Sequence, residues 1–277
     1  MGWTVEKSLA DMDKSGIATA VVSLVQPGVW WNNAEEARKL SRECNEFAAR
    51  MIADHPGRFG FWAALPLPDT EGSLHELTYA LDVLKADGIG LFTSYGDKYL
   101  GDQSFRPVFD ELNRRKAVVF VHPDVPDCCR GLVPSVPAPT LEFVQDTTRA
   151  IGGFLFSGTA AQCPDVRMIW SHSGGATPFV LSRFIRLAEE RKNKFMPAGV
   201  VPELGRFYYE IAQGHMPGQL DALLRMVSLQ HVLFGSDYPF RSGAEAVAGL
   251  ADYKFKAADL RAIERDNALQ LVPRLKA

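Results

Sequence analysis

Cysteine is scarce. Four residues, Cys44, Cys128, Cys129 and Cys163, occur in 277, and no two stand in C-x-x-C spacing. A disulfide framework and a thiolate zinc site are therefore excluded as organising devices, and reduced thiols in a cytoplasmic protein are expected. Positive charge is not in excess either. The formal net charge is −3, whereas nucleic acid and anionic membrane surfaces require a concentrated basic face. No apolar run approaches the ~20 residues of a membrane span. The first residues, Met1–Lys7, lack an apolar signal-peptide core, and Glu6 stands where a myristoylation motif requires Ser or Thr. No G-x-G-x-x-G occurs, which removes the fingerprint of a dinucleotide-binding sheet. Internal repeats, low-complexity tracts and interdomain linkers are also missing.

What remains is alternation. Short apolar runs at Ile17–Leu24, Phe59–Leu65, Gly88–Phe92, Val118–His122, Val166–His172, Phe207–Ala212 and His231–Asp237 read as strands buried on both faces. Amphipathic stretches at Glu35–Ala53, Thr70–Ala86, Phe105–Arg115, Leu141–Gln162, Pro178–Arg191 and Gly218–Val227 read as the helices between them, and Ala257–Leu271 as a helical tail. Repeated βα units imply an α/β fold with a parallel sheet. A TIM-type (β/α)8 barrel needs eight strands, and only seven are visible. The chain opens instead with a helical stretch, Val5–Gly16. A barrel lacking its first strand is expected, with residues 1–277 as one domain. Its two unpaired strand edges would invite association. The Pro-rich stretch Val125–Pro139 predicts a long loop after the fourth strand.

Barrel active sites lie at the C-terminal ends of the strands. Three such ends carry metal-competent or acid–base residues: His122, His172 and Asp237. Singly, each has an ordinary alternative, because a His after an apolar run is often structural and an Asp after a strand often caps a helix. Three together favour a site. His55 precedes a strand and reads as structural, His75 sits within a helix and reads as solvated, and His231 opens a strand, at the wrong end for catalysis. His215 reads as a loop histidine.

The ordered set Val121-His122-Pro123, Ser171-His172-Ser173-Gly174-Gly175 and Phe234-Gly235-Ser236-Asp237-Tyr238-Pro239-Phe240 resembles the amidohydrolase superfamily. The likeness is to its branch of aminocarboxymuconate-semialdehyde, salicylate- and resorcylate-type decarboxylases. Asn45–Phe47, His55–Phe59 and Leu65–Asp69 resemble the same branch, and Gly90–Asp97 with Asp146–Ala150 resembles the 6-methylsalicylate type. The resemblance implies His122 as a ligand of one Zn2+ or Mn2+ per chain. It implies Asp237 at the metal, handling protons, and His172 polarising substrate or water. It also implies a His-x-His pair on the first strand, and this chain has none. The missing strand and the missing ligands coincide, so a start downstream of the natural one, or a shortened variant, is expected. His122 and Asp237 alone would leave a catalytic zinc short of its usual three protein ligands.

The implied reaction is non-oxidative decarboxylation of a small aromatic acid. Asp237 would deliver the proton to the ring and His172 would stabilise a substrate oxygen. Trp62, Phe92, Tyr95 and Tyr238 are candidates to wall the ring, with ordinary core as the competing role. Arg149 is a candidate partner for the substrate carboxylate, or a helix-surface arginine. A lactone or amide hydrolase would use the same residues with Asp237 as base. A non-catalytic barrel is the third reading. No nucleic-acid or membrane partner is expected. The apolar loop residues Val29, Trp30 and Trp31 suggest a homodimer.

Overall fold

The computed structural model describes residues 2–276. Seven parallel strands form one sheet in sequential order: β1 (Ala20–Val22), β2 (Phe59–Ala64), β3 (Gly88–Phe92), β4 (Val118–His122), β5 (Arg167–Trp170), β6 (Tyr208–Glu210) and β7 (Val232–Leu233). Every expected strand is present at its expected place; β3 and β4 keep their expected bounds, and the other five are shorter by one to five residues. Neighbouring strands advance one βα unit at a time, the topology of a barrel wall. Among the described residues β1 and β7 are the sheet's edges and do not pair with each other.

Alternate residues sort onto two faces. Phe61, Ala63, Ile89, Leu91, Val119, Val121, Met168, Trp170 and Tyr209 face the helices and join the main core. Trp62, Val118, Ile169 and Leu233, with Val21, Phe120 and Tyr208, face inward as a second cluster. Gly88 and Gly90 make room there: a Cβ on Gly88 would lie 2.9 Å from the Trp62 ring. The tail closes this inner layer with Leu271 and Val272. Arg274 donates to both Asp87 oxygens, at 2.6 and 2.5 Å, which ties the tail to the turn before β3.

The helices are α1 (Val5–Ser15), α2 (Ala34–Asp54), α3 (Thr70–Asp82), α4 (Arg106–Arg114), α5 (Ala138–Phe156), α6 (Thr159–Gln162), α7 (Thr177–Glu190), α8 (Val200–Leu204), α9 (Pro217–Met226), α10 (Gly243–Tyr253), α11 (Ala257–Arg261) and α12 (Asn267–Leu271). Gly16 ends α1 in the left-handed region at φ 70°, where a residue without Cβ is unstrained. The stretch read as one helix over Leu141–Gln162 is two, because Gly158 at φ 86° breaks it. The tail is likewise divided by a π segment, Ala262–Asp266. Helix α10 was not anticipated. It packs on α1, where Asp11 accepts from Ser242 Oγ at 2.7 Å and from Gly243 N at 2.9 Å. The helical layer is thus continuous across the sheet's open edges. Among the described residues no helix is long and apolar enough to cross a membrane.

Candidate active site

His122 is the last residue of β4, and its side chain shares the inner face with Val118 and Phe120. Its Nδ1 lies 2.8 Å from the Pro123 carbonyl. A carbonyl only accepts, so Nδ1 carries the proton and Nε2 carries the lone pair. That Nε2 is buried without a partner. Burial, then the charge of His172, pushes the His122 imidazole down to about 4. The ring is therefore neutral, with a naked in-plane donor aimed into the site.

His172 follows β5 in a sharp turn. It has φ +52° and Ser173 has φ +58°, positions that cost a non-glycine residue of order 1–3 kcal/mol each. Gln213, after β6, and Asp237, after β7, are left-handed too, at +52° and +60°. Four of the nine described non-glycine residues with positive φ thus lie at this one place. Strain gathered at strand ends is a mark of function rather than of packing.

These turns bring the three candidates together. One ligand atom from each of His122, His172 and Asp237 lies within 4.8 Å of the others. His172 Nε2 is 3.7 Å from Asp237 Oδ2, and the two imidazole rings stand 5.5 Å apart between centroids. Burial disfavours a charged His172, but Asp237 and the Glu210 charge outweigh it and hold the ring above the usual histidine range. Burial raises the Asp237 carboxyl, but both histidines and Gln213 outweigh it and hold the group below the usual carboxylate range. The trio therefore offers a neutral imidazole donor, an ionised carboxylate and a second imidazole. This donor set fits a divalent cation such as Zn2+ or Mn2+, and the orphaned Nε2 of His122 is an atom that such an ion would satisfy.

The other sequence candidates are placed as follows. Phe92 pairs in register with His122 across β3 and β4, so its ring stands on the site's face. Tyr238 is next to Asp237. Trp62 stacks on Phe120 in the inner layer, with centroids 6.3 Å apart. Tyr95 packs edge-on against Phe92 and Phe105, and its hydroxyl accepts from Phe92 N at 3.0 Å. Arg149 lies 3.8 Å from both Glu142 and Asp146, where carboxylates already occupy it. Of the loop residues Val29, Trp30 and Trp31, Val29 is buried and Trp31 is exposed.

Three site residues escaped the sequence reading. Phe143, on α5, stacks on His172 at 6.3 Å and meets His122 edge-on at 5.5 Å. Glu210, at the end of β6, is buried and accepts from His172 N at 2.8 Å and Ala212 N at 2.6 Å. Gly235 vacates the space it needs, since a Cβ there would collide with Glu210 Oε2. Gln213 donates from Nε2 to Asp237 Oδ2 at 2.5 Å. The signal that could have found Glu210 was a carboxylate inside an otherwise apolar strand.

The amidohydrolase family profile matches residues 3–274. The chain belongs to the amidohydrolase family. Its match to a decarboxylase of Aspergillus niger is 34% identical and covers 99% of this chain and 80% of that one. A 6-methylsalicylic acid decarboxylase of Aspergillus aculeatus is 35% identical, over 99% and 87%. Among solved structures, a dihydroxybenzoic acid decarboxylase from Polaromonas sp. superposes with a TM-score of 0.88 at 23% identity. The match covers 99% of this chain and 87% of that one. That protein carries manganese and the inhibitor 2-nitroresorcinol. As in (β/α)8 barrel enzymes generally, the trio here sits at or beyond the C-terminal ends of the strands.

Proposed function

We propose that this chain is a metal-dependent, non-oxidative decarboxylase of a small aromatic acid of the 6-methylsalicylate kind. The observation that carries the reading is the convergence of an unpartnered imidazole nitrogen, a second imidazole and an ionised carboxylate within 4.8 Å. The fungal decarboxylase relatives supply the reaction class.

His122 Nε2 and Asp237 are assigned as ligands of one Mn2+ or Zn2+, with His172 completing the set. The bound ion supplies Lewis acidity toward the substrate carboxylate and an ortho oxygen. Phe143 and Phe92 present aromatic surface to the ring, and Tyr238 stands at its edge. Asp237 begins ionised, takes up a proton from solvent and passes it to the ring carbon that bears the carboxylate. The carbon–carbon bond then breaks, its electron pair returns to the ring, and carbon dioxide leaves. His172 stands beside the substrate oxygen on which negative charge gathers. The ionised resting state of Asp237 also suits a base, so a lactone or amide hydrolase is the competing reading.

One assay separates them. Dialysis against a chelator should abolish release of carbon dioxide from 6-methylsalicylate, and Mn2+ or Zn2+ should restore it. Lactone opening with no decarboxylation, under the same metal dependence, would establish the hydrolase instead. A homodimer belongs to the same proposal, with exposed Trp31 in its contact. Light scattering should give about twice the chain mass, and a Trp31→Ser variant should shift it toward the monomer. A monomeric unmodified chain would remove this element.

A further inference from the structure

Strand β6 brings no residue of the converging trio, yet it touches two of its three members. Glu210 spends both carboxylate oxygens on backbone amides, one from His172 on the neighbouring strand end and one from Ala212 in its own turn. It is 7% exposed and is not within ion-pair distance of any lysine or arginine among the described residues. A buried carboxylate is expensive unless its lone pairs are met; here two backbone amides meet one on each oxygen, while burial still pushes the carboxyl above its usual range. The His172 amide that it grips belongs to a left-handed residue, the conformation that turns the imidazole toward Asp237. Three residues later Gln213 reaches the opposite neighbour. Its amide donates to Oδ2 of Asp237, the same oxygen that faces His172 Nε2. The turn is pinned on both sides, by Ile211 N to Leu233 O at 3.1 Å and by Ser173 Oγ to Gly214 O at 3.3 Å.

We propose that the β6 turn, through Glu210 and Gln213, is the positioning element of this site. Glu210 fixes where the His172 ring stands. Gln213 commits one oxygen of Asp237 and leaves the other to face the cation. Neither is a catalytic residue: each acts through a member of the trio. The inference rests on the metal reading of the trio but not on the identity of the reaction.

The test is Mn2+ binding to the whole chain, read from the spectroscopic signal of free Mn2+, with Zn2+ in competition. Glu210→Gln and Gln213→Leu are each expected to weaken Mn2+ about 10–100-fold, the usual effect of losing a ligand's supporting partner. The metal-free thermal midpoint of Gln213→Leu should stay unchanged, since that side chain is exposed. The decisive comparison is Glu210→Gln in a His172→Ala background. If Glu210 acts through His172, the second substitution adds less than a factor of about two. An equal loss in both backgrounds would overturn its assignment. Should Glu210→Gln not fold, Gln213→Leu carries the test, and unaltered Mn2+ affinity in it overturns the inference. Failure of the unmodified chain to bind Mn2+ also overturns it. Intact coupling with no decarboxylation would sink only the proposed reaction.

Discussion

Asp237→Asn should lower decarboxylation about 10²–10⁴-fold, the range that a positioned acid–base group contributes, while the fold stays intact. The substitution preserves shape. Asn can turn its carbonyl oxygen toward the Gln213 amide and keep the 2.5 Å contact that Asp237 Oδ2 now accepts. Its φ of +60° is no obstacle either, because Asn tolerates the left-handed region as well as Asp does. What is lost is the charge and the exchangeable proton. The carboxylate lies 3.7 Å from His172 and is held ionised by its histidine neighbours, whereas the other carboxylate nearby, Glu210, has both oxygens engaged by backbone amides. Metal analysis alongside kinetics gives the result its meaning. Turnover lost with metal retained assigns Asp237 the proton. Turnover lost with the metal makes it chiefly a ligand. Turnover retained refutes both roles.

The second large effect is expected at His122. His122→Ala should weaken Mn2+ binding by more than the ~10–100-fold that removal of a mere supporting group costs. Its effect on the metal-free chain should be far smaller than that of an ordinary buried histidine. The reason is the orphaned Nε2, buried with no partner. An unsatisfied buried polar atom costs about 1–3 kcal/mol, and removing it recovers that cost against the loss of packing. A structural histidine would show the opposite pattern, with large destabilisation and no change in metal response. The measurement is thermal unfolding with and without saturating Mn2+. At a hundredfold excess over the dissociation constant, the unmodified chain should gain about 2.7 kcal/mol, and His122→Ala should gain almost none. Equal stabilisation of both proteins would exclude His122 from the metal.

Much of this was legible in the residue order. Strands buried on both faces must be apolar at consecutive positions, so β2, β3 and β4 stand out as Phe59–Ala64, Gly88–Phe92 and Val118–His122. The barrel wall follows from their spacing, and the strand ends then single out His122, His172 and Asp237. Helix α10 was not legible. Its sequence from Gly243 alternates small residues with two glycines, and it is held by the side chain of Asp11, more than two hundred positions away. Gly158 hid a break inside a stretch whose apolar residues continue on both sides of it. Tyr95 and Trp62 are candidate walls because they are aromatic and near strand ends; only the fold shows that their rings pack against Phe105 and Phe120.

The sequence by itself determined the order of βα units, the inward and outward alternation of the strands and the identity of the three chemical groups at their ends. Each of these depends on local periodicity, which a single segment carries on its own. Only the tertiary structure decided that the three groups meet, that His122 is left without a partner on one nitrogen, and that Glu210, Gln213 and Phe143 belong beside them. Those facts depend on which segments the barrel places side by side, and contacts such as Glu210 to the His172 amide join residues thirty-eight apart. No periodicity encodes such a distance; the side-by-side pairing of β5 and β6 supplies it.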